Sequence, residues 1–265
     1  MTRQIKAEII LDSMSEVGKR ITTFKLTIPR FILAQLNPHR VFSRNTSSSR
    51  AVPTVRFVEM VETQPFSPIG VKKNASGMLP SEELPPEILE KFHSEWAELG
   101  KIVAGYVRRW AEDYKIHKQH ANRPLEAWLM CDVLVTSTEW DNFLNQRLND
   151  AQPEICEVAQ QIKHLLDTNK PVVRTFHIPY VSDDEIKTYG VRDAGMISAG
   201  RCCRISYLRL DGTVSPAEES IERAEMLLRE GHWSPFEHQA IASDYQATQS
   251  LNFVGWFQFR EEVMR

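Results

Sequence analysis

Residues 39–50 read HRVFSRNTSSSR, and the interpretation of the whole chain starts from this stretch. It contains three arginines, one histidine, one asparagine, one threonine and four serines, with only two apolar residues. A segment so rich in hydrogen-bond donors and free of carboxylates suits a dianionic phosphate or an electron-rich heterocycle. If part of it is helical, His39, Ser43, Ser47 and Arg50 fall on one face.

The alternative for this segment is a solvated Ser/Arg loop of the kind that is often phosphorylated. Its placement favours a binding site. It directly follows residues 21–38, ITTFKLTIPRFILAQLNP, an apolar stretch that must be packed. The basic residues therefore emerge from a core element and not from a tail.

The segment resembles the signature of flavin-dependent thymidylate synthases, R-H-R-x-x-S-x-N-E-x-S-x-R. Six positions match, namely His39, Arg40, Ser43, Asn45, Ser48 and Arg50. Pro38 replaces the first arginine of the pattern, and Thr46 replaces its acidic residue. The family uses both of these positions for flavin or nucleotide contacts.

Two later segments resemble further motifs of the same family. Residues 142–147, NFLNQR, resemble a family segment in which an Asn precedes F-L-x-x-R. The family's A-Q-x-E-I segment follows at residues 151–155. The gap between Arg147 and Ala151 is one residue shorter than the family spacing. Arg147 alone could also be a surface arginine paired with an acid. Residues 231–238, GHWSPFEH, match G-H-x-[ST]-P-F-E-H completely. A zincin-type metal site is disfavoured there because Pro235 prevents a helix through the motif.

The order of these motifs differs from the usual one. In the common form of the family, A-R-x-S-[YF] and G-H-x-S-P-F-E-H precede the H-R signature, whereas here the corresponding segments lie at 201–207 and 231–238. The chain therefore resembles a circular permutation, in which residues 201–265 correspond to the part that usually comes first. Permutation is tolerated when the original termini lie close together.

Composition limits the possible function classes. A chain of 265 residues forms one large or two small domains, and we predict a single domain over 1–265. The net charge of −3 gives no support for nucleic-acid binding. There is no apolar run of about 18 residues and no signal-peptide core near the N-terminus, so a membrane span is not expected. The four cysteines lack CxxC spacing, which predicts neither disulfides nor zinc. These features predict a soluble, cytoplasmic protein.

Local patterns predict the main elements. Residues 4–11 and 21–28 read as strands joined by a turn near Gly18, and residues 85–115, 153–168 and 216–231 read as helices. The aromatic stripe of the first helix is interpreted as core or subunit interface. Residues 51–84, rich in Pro, Ser, Asn and Gly, are predicted to form a loop or lid.

The family resemblance implies an α+β fold with a curved, mixed or antiparallel sheet flanked by helices, assembled as a homotetramer with sites between subunits. It also implies that FAD, NADPH and methylenetetrahydrofolate serve to methylate C5 of dUMP, giving dTMP. The sequence has no GxGxxG or Walker loop, so flavin binding would not be of the Rossmann type.

The resemblance also assigns site residues. The residues implied to be catalytic are Arg147, His232 and Ser48. Those implied to bind substrate are Gln35, Ser47, Ser48, Ser49, Arg50, His120 and Arg123. His120 occupies the register of a phosphate-binding arginine, and Arg123 is the nearest cation to it, so the choice between these two stays open. Those implied to bind the flavin are His39, Arg40, Ser43, Asn45, Asn142, Ser206 and Ser234. No metal ligands are expected.

Two other functions stay open. Pro38 and Thr46 are also consistent with a related flavin enzyme that methylates or hydroxymethylates another pyrimidine nucleotide, such as dCMP. A non-catalytic nucleotide-binding homologue is the second alternative. A cysteine nucleophile is not expected. Cys131 lies in an apolar run where a thiol is inert, and the strongest rivals are Cys202 and Cys203, which have arginines beside them.

Overall fold

The computed structural model describes residues 4–76, 82–149, 152–206 and 214–264. In chain order its strands and helices are β1 (Lys6–Met14), β2 (Arg20–Pro29), α1 (Leu33–Leu36), β3 (Ser43–Thr46), α2 (Thr54–Thr63), α3 (Pro86–Glu112), α4 (Lys118–Ala121), β4 (Met130–Ser137), α5 (Asp141–Arg147), α6 (Pro153–Thr168), β5 (Val172–Val173), β6 (Phe176–His177), α7 (Asp183–Cys202), α8 (Ala217–Arg229), β7 (Ala240–Ala242), β8 (Gln249–Ser250), β9 (Phe253–Val254), β10 (Trp256–Gln258) and α9 (Phe259–Val263).

A five-stranded mixed sheet forms the centre of the fold, in the order β3-β4-β2-β1-β5. Its neighbouring strands are antiparallel except β1 and β5, which are parallel. Every residue of β4 is buried because both faces of the sheet are covered. Val133 packs with α6 on one face, and Leu134 packs with Cys202 and Ile205 on the other. The predicted α+β fold, with a mixed sheet flanked by helices, is confirmed.

The β1–β2 hairpin matches the two strands predicted at the start of the chain. Gly18 lies in its turn with φ +82°, a left-handed conformation that residues with a Cβ rarely adopt. Phe24 and Leu26 of β2 are fully buried in the main core against α6. The hairpin therefore anchors the sheet on which the signature segment rests.

The three predicted helices are confirmed as α3, α6 and α8. Gly231, with φ +74°, lies just beyond α8 at the position where a left-handed residue commonly ends a helix. The predicted aromatic stripe of α3 divides into two faces. Trp96 and Trp110 pack towards α2, whereas Leu99 and Tyr106 are about half exposed. Although α3 has 27 residues, no described helix is apolar enough to cross a membrane.

The prediction that residues 51–84 form a loop or lid is wrong for its first part. The helix α2 occupies Thr54–Thr63 and buries Phe57, Val58 and Val61 against α3. These residues have the i, i+1, i+4 spacing of a helix face, which the surrounding prolines and polar residues obscured. Residues 77–81 of the predicted loop lie outside the described part of the chain.

The possibility that the signature is helical is also wrong. Ser43–Thr46 form β3, which pairs with β4 in antiparallel register from Ser43 opposite Thr136 to Thr46 opposite Val133. Strand geometry sends alternate side chains to opposite faces, so His39, Ser43, Ser47 and Arg50 do not share a helical stripe. The backbone of the buried strand β4 provides hydrogen-bond partners that local composition does not reveal.

Candidate functional site

His39 of the signature is in direct contact with Arg147 at the end of α5. Arg147 Nε donates to His39 Nε2 at 3.1 Å, and its Nη2 donates to the carbonyl oxygen of Gln35 at 3.0 Å. Asn142, at the start of α5, lies close enough to the same imidazole to act on its pKa. The structure therefore brings together four predicted site residues that are distant in sequence. We call them the latch cluster: Gln35, His39, Asn142 and Arg147.

The imidazole of His39 is only 4% exposed. The rings of Phe42 and Phe143 pack against it with centroids 5.6 and 5.0 Å away. Burial, followed by the positive charge of Arg147, lowers the pKa of His39 below its usual value. His39 is therefore neutral at neutral pH, which is also what acceptance of a hydrogen bond from a guanidinium requires.

A cavity of about 440 Å³ lies where the end of the signature faces the C-terminal motif. From the signature side it is lined by Asn45, Thr46, Ser48, Arg50 and Ala51, and from the other side by Cys203, Ile205, Leu227, His232, Ser234 and Pro235. Its described lining contains no carboxylate, and it offers a guanidinium, an imidazole, an amide and hydroxyls. This donor set suits a phosphate or pyrophosphate group. Five predicted site residues meet here, although their sequence positions are far apart.

The C-terminal motif is held on the signature strand by buried polar contacts. Gln258 Nε2 donates to Ser43 Oγ at 3.0 Å, and Thr136 Oγ1 of β4 lies 2.8 Å from His238 Nδ1. Glu237 is paired with Arg260. These contacts place the Ser234–Glu237 turn beside β3, which gives His232 and Ser234 access to the cavity.

Residues 47–52, after the signature strand, are fastened from two sides. Asn122 Nδ2 donates to the carbonyl oxygens of Ser49 at 2.8 Å and Val52 at 3.0 Å. Arg30 Nη1 donates to the carbonyl of Ser47 at 3.0 Å. These hydrogen bonds hold the backbone of residues 47–52 in place. The side chains of Ser48 and Arg50 are exposed on this fixed backbone.

Sequence reasoning missed both anchors. Asn122 stands directly before Arg123, one of the two candidates for the phosphate-binding residue, and no motif of the sequence marked it as an anchor. His120 and Arg123 are both exposed on this segment, and the structure does not decide between them. Arg40 is also exposed, outside both the latch cluster and the described lining of the cavity.

Other predicted residues occupy structural positions or lie outside the description. Ser43 is fully buried and is contacted by Gln258, so its hydroxyl is turned to the interior. Ser206 ends the turn Cys203–Ser206, but its side chain, like Tyr207 and Ala151, lies outside the described part of the chain. Among the described residues no three His, Cys, Asp or Glu side chains are grouped as metal ligands would be.

The two adjacent cysteines are poor nucleophiles. Burial raises the pKa of Cys202 to about 12 and that of Cys203 to about 11. The arginines beside them are engaged elsewhere, because Arg201 pairs with Glu185 at 2.6 Å and Arg204 pairs with Glu219. The flanking cations that made a thiolate conceivable from the sequence therefore do not outweigh desolvation.

A second cavity, of about 480 Å³, adjoins the first and shares Ile205 with it. Its floor includes Arg30, whose side chain is 9% exposed, and Asp132, while Arg56 stands at its rim on α2. No sequence motif pointed to this cavity, because α2 was itself not foreseen.

Comparison with solved structures shows the relation of the fold to known proteins. The UMP/dUMP methylase PolB of Streptomyces cacaoi, bound with 5-Br UMP, aligns over 62% of this chain and 88% of its own, with 16% identity and a TM-score of 0.51. At this identity the similarity concerns the fold alone.

A second similar structure is the flavin-dependent thymidylate synthase ThyX of Helicobacter pylori, complexed with FAD and dUMP. It aligns over 54% of this chain with 17% identity and a TM-score of 0.37. The chain covers 66% of that structure, and 65% of another one of the same enzyme, in both cases just under two thirds.

Comparison of whole sequences extends the argument to the family. No curated protein sequence matches this chain. The family model described as thymidylate synthase complementing protein matches residues 18–172 continuously, which is more than half of the 265 residues and includes the signature, Asn142 and Arg147. The chain belongs to the thymidylate synthase complementing protein family.

Proposed function

We propose that this protein transfers a one-carbon unit from methylenetetrahydrofolate to C5 of dUMP, giving dTMP, with FAD as cofactor and NADPH as reductant. The observation that carries the proposal is the meeting of the family motifs in space. Ser48 and Arg50 of the signature face His232 and Ser234 across one cavity, whose described lining contains no carboxylate. The signature also contacts Arg147 through His39.

The residues present fit a flavin nucleotide and a nucleotide monophosphate. The cavity offers donors from both motifs and, among its described residues, no anion that would repel a phosphate. Arg50 would bind the phosphate of dUMP, with Ser48 beside it, while Ser234 and Asn142 would hold the flavin. Bound FAD would supply the two-electron chemistry that brings the transferred carbon to the methyl level. The protein supplies orientation and charge.

Arg147 is the residue proposed to activate the pyrimidine. C5 of uracil is a weak nucleophile, and loosening the N3 proton pushes electron density towards C5 while negative charge develops on N3 and the flanking carbonyls. A guanidinium stays protonated and presents two parallel N–H donors to such a charge. In the structure Nε and one Nη2 proton of Arg147 are used by His39 and Gln35, and among the described residues no hydrogen bond uses Nη1. The terminal edge, formed by Nη1 and Nη2, is thus available to substrate.

The reaction is proposed to proceed without a cysteine nucleophile. Cys203 is the only cysteine in the described lining of the cavity, and burial raises the pKa of its thiol to about 11. Cys131 and Cys202 are buried in the core. A neutral buried thiol does not add readily to C6 of a pyrimidine at neutral pH. Activation by Arg147 is the alternative that the chain offers.

The complete site is proposed to form between subunits of a homotetramer. Within the described chain, no latch-cluster residue lines the 440 Å³ cavity that contains Ser48 and Arg50. A neighbouring subunit could bring the two groups to one substrate. The half-exposed side chains of Leu99, Ile102 and Tyr106 on α3 form an apolar face suited to subunit contact.

The permuted motif order also remains a proposal. The matched family range ends at residue 172, so it does not include GHWSPFEH. What supports permutation is the packing of this C-terminal segment on β3, through Gln258 on Ser43 and His238 on Thr136 of the paired strand. The segment thereby contributes His232 and Ser234 to the cavity although it comes last in the chain.

One assay tests the function. Purified protein is expected to take up FAD with a visible flavin spectrum, and then to form dTMP from dUMP with methylenetetrahydrofolate and NADPH. Formation of a methylated or hydroxymethylated product from dCMP, and not from dUMP, would favour the related pyrimidine enzyme and connect it with Pro38 and Thr46. Colourless protein that fails to take up micromolar FAD would contradict both enzymatic readings.

A further inference from the structure

His39 interacts with two residues of one short helix, Arg147 and Asn142. Arg147 Nε lies 3.1 Å from Nε2, and Asn142 is close enough to the same ring to act on its pKa. Asn142 and Arg147 are five residues apart in α5 (Asp141–Arg147), a rise of about 7.5 Å in an α-helix. The ring therefore bridges the start and the end of α5.

The proton positions follow from the guanidinium. Arginine has five N–H donors, no acceptor, and stays protonated in proteins, so the hydrogen bond from Arg147 requires an unprotonated Nε2 on His39. The proton of the neutral ring then resides on Nδ1. An Nδ1–H group needs an acceptor, and the side-chain acceptor that Asn142 offers is its Oδ1.

We propose that His39 is a positioning residue, whose Nδ1–H tautomer orients Arg147 and Asn142 together. With Nε bound to His39 and Nη2 to the Gln35 carbonyl, the side edge of the Arg147 guanidinium is fixed and its terminal edge points away. With Oδ1 turned to His39, the exposed Asn142 presents its amide N–H groups outward. The family resemblance places His39 among flavin contacts, whereas its burial and the hydrogen bond from Arg147 assign it to holding the residues that meet ligand.

Protonation of His39 would break this arrangement. A proton on Nε2 would face the Nε–H of Arg147, so two donors and two positive charges would oppose each other. The charged side chains that act on the ring are Arg147 from α5 and Arg44 from β3, and both are cations. Gln35 from α1 is neutral. The orientation of Arg147 is therefore retained while His39 is neutral and lost when acid protonates it.

The first test observes the tautomer directly and does not depend on turnover. Protein labelled with ¹⁵N-histidine is examined by long-range ¹H–¹⁵N correlation, and the His39 signals among the 8 histidines are identified by their loss in His39→Phe. We expect Nδ1 protonated and Nε2 unprotonated, and no titration at the ordinary histidine pKa of about 6.5. An Nε2–H tautomer, or ordinary titration, would overturn the proposal even if the protein proves to be an active thymidylate synthase.

The second test separates the two hydrogen bonds by substitution, and its catalytic readout rests on the proposed function. His39→Gln keeps an acceptor near the position of Nε2, and His39→Asn keeps a donor near the position of Nδ1. We expect His39→Gln to retain most of the single-turnover rate, and His39→Asn and His39→Phe to lose about tenfold or more, the size of effect that misplacement of a catalytic group produces. Phe42→Leu, which alters packing on the same ring and removes neither hydrogen bond, is the matched control and should stay near wild type. Equal losses of rate in His39→Gln, His39→Asn and Phe42→Leu would show that His39 serves packing only.

A third test uses Asn142→Asp, which should shift the pKa of His39 in a known direction. Asn142→Asp places a carboxylate on Nδ1–H and should raise the pKa of His39, so the acid limb of the rate shifts to higher pH. An acid limb that is unchanged or shifts downward contradicts the arrangement. If wild-type protein shows no turnover at all, the proposed function fails, while the tautomer measurement still decides the orientation of the ring.

Discussion

Histidines occupy two contrasting regions of this molecule. His39 faces a guanidinium at the edge of the candidate site. His177 and His238 are fully buried in the centre of the fold, where the hydrogen-bond partners of their ring nitrogens are hydroxyl groups. In that central region a hydrogen-bonded chain runs from Ser13 Oγ to His177, Thr23 Oγ1, Thr136 Oγ1 and His238 Nδ1 with successive distances of 2.9, 2.8, 2.7 and 2.8 Å.

The difference lies in what each partner can donate. A hydroxyl both donates and accepts, so the hydrogen bonds of the central chain can run in either direction, and the hydroxyls impose neither tautomer. Arginine only donates, so it imposes one tautomer on His39. The same side chain thus joins the strands β1, β2, β4 and β6 in one region and orients reactive groups in the other. We expect changes in the first region to affect unfolding and changes in the second to affect turnover.

The largest expected effect is on turnover at the edge of the site. Arg147→Ala should lower single-turnover methyl transfer at saturating nucleotide by more than about 100-fold, the scale seen when a preorganised charge-stabilising donor is removed. Arg147→Lys should keep part of the rate because it keeps the charge and loses the two-pronged geometry. Both variants should still bind FAD, which absorbance of the bound flavin checks.

Arg229→Ala is the control for this comparison, because Arg229 is an exposed arginine near the end of α8 with its side chain 71% accessible. It should leave both the rate and FAD binding unchanged. If Arg147→Ala falls by less than about tenfold, roughly 1.4 kcal/mol, the activating role belongs to another cation and Arg123 is the next to test.

The second expected effect is on stability and concerns the centre of the hydroxyl chain. Thr136→Val keeps the shape of the side chain and removes the hydroxyl that joins Thr23 to His238. One buried ring nitrogen then loses its partner, at a cost of about 1–3 kcal/mol in the free energy of unfolding. Urea denaturation measures it, with FAD bound per folded molecule expected to stay constant.

Thr168→Val is the matched control for Thr136→Val. The Thr168 hydroxyl donates to the carbonyl of His164 at the exposed end of α6, so its loss should change stability by no more than about 0.5 kcal/mol. A Thr136→Val variant that is as stable as wild type but inactive would show that the central chain serves catalysis, and would remove the distinction between the two regions.

How much of this could be read from the sequence depends on the range of the interactions. The β1–β2 hairpin and the helices α3, α6 and α8 follow local periodicity and turn residues, so they were predictable. The strand β3 was not, because its Ser/Arg composition is that of a loop and its pairing partner β4 begins 84 residues after β3 ends. The residues next to β3 in the sequence therefore do not indicate its pairing with β4.

In the candidate site, too, individual residues were predictable from local motifs, whereas contacts between distant residues were not. Motif resemblance identified His39, Asn142 and Arg147 individually, but the hydrogen bond between His39 and Arg147 joins positions 108 residues apart. Nothing in the spacing of the residues indicates that a histidine would be buried against an arginine. The anchoring of the signature loop by Asn122 and Arg30 was likewise invisible, since both act on backbone carbonyls, which leave no pattern in the side chains.

The third prediction concerns the dependence of stability on pH. Burial lowers the pKa of His177 and of His238 to about 3, so both are neutral in the folded protein. In the unfolded chain they titrate near 6.5, so unfolding takes up protons between about pH 6.5 and 3, and stability is lost as pH falls through this window. Within this window each histidine changes the free energy of unfolding by up to about 1.4 kcal/mol per pH unit. Above about pH 6.5 it does not contribute to the pH dependence.

Urea denaturation near pH 7 and at two more acidic values measures this slope. His238→Gln should reduce it by about one proton, because the unfolded chain then has one histidine fewer to protonate. A slope that is insensitive to His238→Gln would mean that the central histidine is accessible to protons in the folded state, contrary to its complete burial.

The smallest expected effect is at the thiol in the cavity wall. Cys203 Sγ donates to the carbonyl of Gly200 at 3.1 Å, a hydrogen bond that a serine hydroxyl can also make. Because burial raises the pKa of Cys203 to about 11, only about one molecule in 10⁴ carries the thiolate at pH 7. Cys203→Ser should therefore change the rate of dTMP formation by less than about twofold, a difference too small to reflect loss of a nucleophile. Turnover is measured on protein whose FAD content is verified by absorbance, so that misfolding is recognised. Complete loss of turnover with FAD still bound would assign the chemistry to the thiol, and Arg147 would then serve binding and not activation.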